Sequence, residues 1–168
     1  MPMTPFIERF RELGARETRS VRVTQGQDLP IGEYGFMEMY CDEPGCDCRR
    51  VIIVVLRPET GWSRIWATIG YGWESLDFYR KWSRGISDPV EMKGPSLDPL
   101  NEQSKYSPAL LNLFQLIVQS DDYVERLKRH YRMFRDSIEK EGRQGNLELN
   151  RIENKRKRLR DPNRSRRH

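Results

Sequence analysis

The apolar positions of this chain change period near its middle. Residues 51–56 read VIIVVL, a β-branched run with no polar alternation. Within RRVIIVVLR (49–57) it predicts a central strand covered on both faces. WSRIWATIG (62–70) alternates, with Ile65, Ala67 and Ile69 on one face and Trp62, Arg64, Trp66 and Thr68 on the other. RPETG between the two runs is a turn. EYGFMEMYC (33–41) predicts a further strand, although Met37 to Tyr40 mix the alternation begun by Tyr34 and Phe36. SVRV (20–23) predicts another, followed by the turn-rich QGQDLPIG. Upstream, Thr4 predicts the cap of a short helix with Pro5 in its first position, a face of Phe6, Phe10 and Leu13, and an end at Gly14. The strands together form an antiparallel meander of at least three.

The second half follows a helical period. ESLDFYRKW (74–82) predicts a short amphipathic helix, and residues 83–106, rich in Gly, Pro, Ser and Asp, an extended surface segment. Ser107 and Pro108 open a helix whose ALLNLFQLIV is apolar nearly all round, which predicts burial. A longer helix over about 121–141 turns Tyr123, Leu127, Tyr131, Phe134 and Ile138 inward, and Gly142 and Gly145 end it. The sum is an α+β domain over 1–141, a small antiparallel sheet covered by helices, followed by a basic, disordered tail over 142–168.

Charge sharpens that division. Residues 142–168 carry a net +7 and residues 1–141 a net −2. A length of 168 residues suits one domain with an appended segment. The longest apolar run, six residues, is far short of the roughly 20 that span a bilayer. MPMTPFIERF has no basic start leading into an apolar stretch, so a secretory signal is not expected. The expectation is a cytoplasmic protein, where thiols stay reduced and clustered cysteines serve as ligands or reactive groups.

That matters because all three cysteines fall in YCDEPGCDCRR, at Cys41, Cys46 and Cys48. C-x4-C-x-C places three sulfurs on one tight loop, with Pro44 and Gly45 supplying the turn. Three thiolates at such spacing fill three corners of a tetrahedron about 2.3 Å from a zinc ion. Arg49 and Arg50 follow at once and can donate to the sulfurs. His130, leaning toward the buried face of the long helix, is the candidate fourth ligand; Asp42, Asp47 and water are the others. Against zinc stand three reduced thiols without metal, a Cys46–Cys48 disulfide, and a catalytic cysteine paired with His130. The disulfide closes a very small strained ring, and no oxyanion hole marks a nucleophile.

Two other features compete for function. Trp62, Trp66, Tyr71, Trp73, Phe78, Tyr79 and Trp82 crowd into 21 residues. Beside Arg64 such rings can stack on bases, but the preferred reading is a second small core. GYG (70–72) lacks the pattern of a phosphate loop. In the tail, Lys155, Arg156, Lys157, Arg158 and Arg160 suit salt-sensitive contact with RNA or the ribosome. Its scattered apolar residues do not suit insertion at a membrane surface.

FMEMYCDEPGCDCRRVIIVV, GPSLDPLNEQSKYSPALLNLF and YVERLKRHYRMFR together resemble an uncharacterised family of bacterial cytoplasmic proteins, across most of residues 33–140. Its members often end in a short cysteine-rich zinc motif like that of the SecA translocation ATPase. Here RLRDPNRSRRH stands at that place without a cysteine. The resemblance implies a small zinc-containing protein and no reaction. The expectation is therefore a non-catalytic binding or adaptor module, with a protein partner and structural zinc on Cys41, Cys46, Cys48 and His130. The alternatives are nucleic-acid binding through the tail, and a zinc hydrolase or thiol enzyme with Glu43 or Asp47 as base beside an open metal corner.

Overall fold

The computed structural model describes residues 2–59 and 62–160. In chain order they form β1 (Met3–Pro5), α1 (Phe6–Arg9), α2 (Arg11–Glu17), β2 (Arg19–Val23), β3 (Gly32–Cys41), β4 (Arg50–Glu59) and β5 (Trp62–Gly72). Then follow α3 (Leu76–Ser83), α4 (Pro89–Lys93), β6 (Ser96–Leu97), α5 (Ser107–Ile117) and α6 (Asp121–Arg160). The class is α+β. Six strands make one antiparallel sheet in which β3, β4, β5 and β6 lie side by side. Both β1 and β2 pair with the free edge of β3, β1 along Met39–Cys41 and β2 along Gly32–Phe36. The expected meander is present, and β1 and β6 extend the sheet beyond it.

β3 alternates more regularly than its sequence suggests. Tyr34, Phe36, Glu38 and Tyr40 all point inward and are buried, while Gly35, Met37 and Met39 are half-buried. The inward row continues through Val51, Ile53 and Val55 on β4 and through Ala67 and Ile69 on β5. Against this face pack Leu110 and Phe114 of α5 and Leu127, His130, Tyr131, Phe134 and Ile138 of α6. Full burial of each such aliphatic or aromatic side chain is worth about 1.5–3 kcal/mol. On the outer face of β4, Val54 is buried but Ile52 and Leu56 are only half-buried. The β-branched run is thus covered fully on one side and partly on the other, because α5 and α6 share one face.

A bulge interrupts β4 and β5: Val55 pairs with Ala67 and Leu56 with Ile65, leaving Trp66 as the extra residue. Trp66 is buried, stacked on Tyr106 at 4.8 Å and edge-on to Tyr34 at 5.6 Å. Tyr79 is buried, and Tyr71, Trp73 and Trp82 pack half-buried against the core. These rings are packing, not a base-stacking platform. The side chain of Trp62, and Thr60 and Gly61 of the expected RPETG turn, lie outside the described residues.

Three boundaries differ from expectation, each for a local reason. Thr4 caps no helix: it pairs with Tyr40 across the sheet edge and its hydroxyl donates to Asp42 at 2.7 Å. Gly14 does not end the first helix but lies inside α2, where a Cβ would come within 2.8 Å of the Ile7 backbone. Residues 83–106 are not simply extended, since α4 and β6 form there and Gln103 ties the segment down. Its amide nitrogen donates to the carbonyls of Thr68 (2.8 Å) and Asp98 (2.9 Å), and its oxygen accepts from Thr68 N–H (3.2 Å). A side chain thereby continues the sheet edge as a backbone would.

The expected stop at Gly142 and Gly145 is not observed either, because α6 continues to Arg160. Interior glycines cost about 1 kcal/mol each but do not force an end, and the Glu, Lys, Arg, Gln and Leu around them favour helix. From Glu139 to Arg156 every described side chain is exposed, so this stretch adds nothing to the core. Residues 161–168 of the expected tail lie outside the described residues, as do the side chains of Lys157, Arg158 and Arg160. Among the described residues no helix is long and apolar enough to cross a membrane.

Candidate metal centre

The cysteine loop is the connection between the two central strands. Cys41 is the last residue of β3, and Cys48 lies two positions before β4 begins. The tip turns at Gly45, whose φ of +74° only glycine adopts without strain, and Cys46 N–H closes the turn on the Glu43 carbonyl at 3.2 Å. Cys41 and Cys48 are buried and Cys46 is half-buried. The three sulfurs lie within 4.8 Å of one another and can hold a metal ion.

Neighbouring elements fix this loop from several sides. Arg135 of α6, only 7% exposed, donates to the carbonyls of Cys41 (3.1 Å) and Glu43 (2.9 Å). Tyr131, one turn earlier, accepts from Arg49 N–H at 3.3 Å and donates to Asp47 at 3.4 Å. Tyr79 of α3 donates to the Arg49 carbonyl at 2.8 Å. Asp42 N–H donates to the Pro2 carbonyl at 3.4 Å. Arg49 has a φ of +46°, a left-handed conformation that a non-glycine residue holds only when its surroundings enforce it. Those surroundings are the two tyrosines, Asp47 (2.9 Å), Glu74 (3.2 Å) and the Phe78 ring, 4.7 Å below the guanidinium.

The thiols are strongly coupled. A hydrogen bond from Cys48 holds the Cys41 thiol down to about 6, against the opposing effect of burial, with help from Cys46 and the Arg135 charge. The same hydrogen bond, together with burial, drives Cys48 far up. Burial and the neighbouring Cys41 push Cys46 up as well. The first negative charge therefore settles on Cys41, where two thiols solvate it. A cation among the sulfurs would favour ionisation of the other two.

His130 does not join them. It is 1% exposed, so its inward lean is real, but it faces the middle of β3. Its Nδ1 lies 2.7 Å from Glu38 and its Nε2 2.9 Å from Glu17, so both ring nitrogens are engaged by carboxylates. Phe6 stacks on the ring at 4.1 Å. The residues of α6 that reach the loop are Tyr131 and Arg135, one and five positions further on. Of the other candidate ligands, Asp42 accepts from Thr4, and both oxygens of Asp47 accept from Arg49 at 2.9 Å. No carboxylate or histidine belongs to the donor group, among the described residues.

Of the expected support from Arg49 and Arg50, one part is present: the Arg50 backbone N–H donates to the Cys48 sulfur, and its guanidinium charge acts on that thiol. Arg49 is committed to Asp47 and Glu74, and the Arg50 guanidinium lies against Gly70 of β5. Arg135 is a further cation that acts on the loop, through the carbonyls of Cys41 and Glu43 and on the Cys41 thiol. Sequence reasoning passed over Arg135 and Glu38, and both left a signal. Arg135 follows Tyr131 by four residues on the inward face of α6, and Glu38 is the one carboxylate in an inward row of aromatics. A cavity of about 370 Å³ opens beside the loop, lined by Asp47, Arg49, Trp73, Glu74, Lys128 and Tyr131. Both of its carboxylates are paired with Arg49.

Compared with known proteins, this chain matches no protein-family model, no curated protein and no solved structure.

Proposed function

We propose that this chain is a zinc-binding module whose metal is structural, held by Cys41, Cys46 and Cys48. The observation that carries the reading is the trio of sulfurs within 4.8 Å, in a loop that Arg135 and Tyr131 tie to α6. Zinc is favoured over harder cations by an all-sulfur donor set. With Asp42 and Asp47 committed elsewhere, water takes the fourth corner. The metal pins the β3–β4 connection, and Arg135, in place of His130, couples it to the helix. An open corner suits a hydrolase only with a base beside it. Against that alternative, Asp47 and Glu74 are both ion-paired to Arg49, and Glu43 is exposed at the loop tip. The role that remains is to present a rigid surface to a partner.

Elemental analysis of the purified chain tests this. One zinc per chain, reduced to none by Cys46→Ser, is the expected result. A parent protein with no bound transition metal, or a variant that keeps full stoichiometry, contradicts it.

A further inference from the structure

The continuation of α6 past the core turns a run of basic residues into a surface with a shape. Arg132, Lys140, Arg143, Arg151 and Lys155 are all exposed. Their spacings of eight, three, eight and four residues keep them on one side of a helix with 3.6 residues per turn. Asp136 and Leu147 interrupt the row. Arg143 has one exposed ion pair, to Glu139 at 3.6 Å, which is cheaply exchanged for another anion. From Arg132 to Lys155 the stripe runs for roughly 35 Å.

We infer that this face of α6 binds double-stranded DNA, with the helix lying in the major groove and the stripe neutralising phosphates along it. Charge complementarity selects a polyanion: the face carries five cations and one acid, Asp136, and its C-terminal part, residues 142–160, holds seven Lys/Arg against two acids overall. The shape selects among polyanions. A helix with its side chains is about 10–12 Å across, and the B-DNA major groove is about 12 Å wide. The A-form major groove of duplex RNA is too narrow and deep to admit it. Single-stranded RNA is recognised by stacking on aromatic rings, and residues 139–160 contain none. Beyond Glu139 every described side chain is exposed, so a duplex can approach this helix without displacing the body. The inference rests on α6 alone and not on the metal.

Fluorescence anisotropy of the full chain with a labelled 20-base-pair DNA duplex tests it, with duplex RNA and single-stranded RNA of the same sequence as competitors. About five phosphate contacts predict a slope of log K against log salt near −4.5, a loss of roughly 500-fold between 50 and 200 mM. The variant Arg132→Gln, Lys140→Gln, Arg143→Gln, Arg151→Gln, Lys155→Gln should bind at least about 30-fold more weakly with an unchanged circular dichroism spectrum. The double variant Lys140→Gln, Arg143→Gln should show an intermediate loss. Lys81→Gln with Arg84→Gln, exposed cations of α3 and its C-cap, should leave binding unchanged. Binding of the fivefold variant within twofold of the parent would overturn the inference. So would competition by either RNA as strong as by DNA, or self-association through this helix with no affinity for the duplex.

Discussion

Arg135 on α6 donates to the carbonyl of Cys41, a 3.1 Å bond between residues 94 positions apart. The same guanidinium reaches Glu43, so one buried side chain spans the mouth of the cysteine loop. Arg135→Met keeps the length and apolar stem but leaves two carbonyls without their donor. The expected cost is about 2 kcal/mol in urea unfolding. Because the loop then loses its tie to the helix, zinc affinity should fall with it. A variant with parental stability and parental affinity would show that the sulfurs organise themselves without help.

His130 and Glu38 make a separate buried pair at 2.7 Å, and Tyr40 donates to the same carboxylate at 2.8 Å. Removing one partner of such a buried hydrogen bond typically costs about 1–3 kcal/mol. His130→Ala is therefore expected to lower stability strongly while leaving one zinc per chain. Loss of the metal from folded His130→Ala would restore the histidine as a ligand.

Glu17 makes part of this arrangement depend on pH. Burial acts to raise its carboxyl, but the His130 hydrogen bond and the Arg129 charge outweigh it and hold the group below its ordinary value. The folded value thus lies under the unfolded one. Ionised Glu17 stabilises the fold at neutral pH, and that contribution fades as pH falls through the folded value. Glu17→Gln should be less stable than the parent at pH 7. The two should converge on acidification below the unfolded carboxylate range of about 4.3. A constant gap between them from pH 7 to pH 3 would contradict the coupling to His130 and Arg129.

Much of this architecture is legible in the sequence where one residue pattern has one physical meaning. The VIIVVL run, the alternation around Ile65–Ile69 and the inward face Tyr123–Ile138 all correspond to observed elements. The position of the three cysteines between two strands follows from the same patterns. What is not legible is pairing across space. A helical face says that His130 is buried, but not whether Cys48 or Glu38 stands opposite. Glu38 is informative only once the register of β3 is known, and the Met-rich stretch around it blurs that register. Thr4 has the chemistry of a helix cap and is used instead as a strand residue, because β3 offers it a partner. Gln103 does the work of a strand edge with its side chain, which no backbone periodicity announces. Gly142 and Gly145 lower helix propensity without reversing it, so the end of α6 cannot be placed from composition.

On the proposed reading, a cation among Cys41, Cys46 and Cys48 holds the β3–β4 connection in place. Thermal melting of the metal-loaded chain, before and after dialysis against a chelator, measures this most directly. Structural zinc is worth on the order of 10 kcal/mol in small domains, so the stripped chain should melt far lower and recover when zinc is returned. The Cys41→Ser, Cys46→Ser, Cys48→Ser variant should melt at that lower temperature whether or not zinc is present. Superimposable melts of the loaded and stripped parent would show that no structural metal holds this connection.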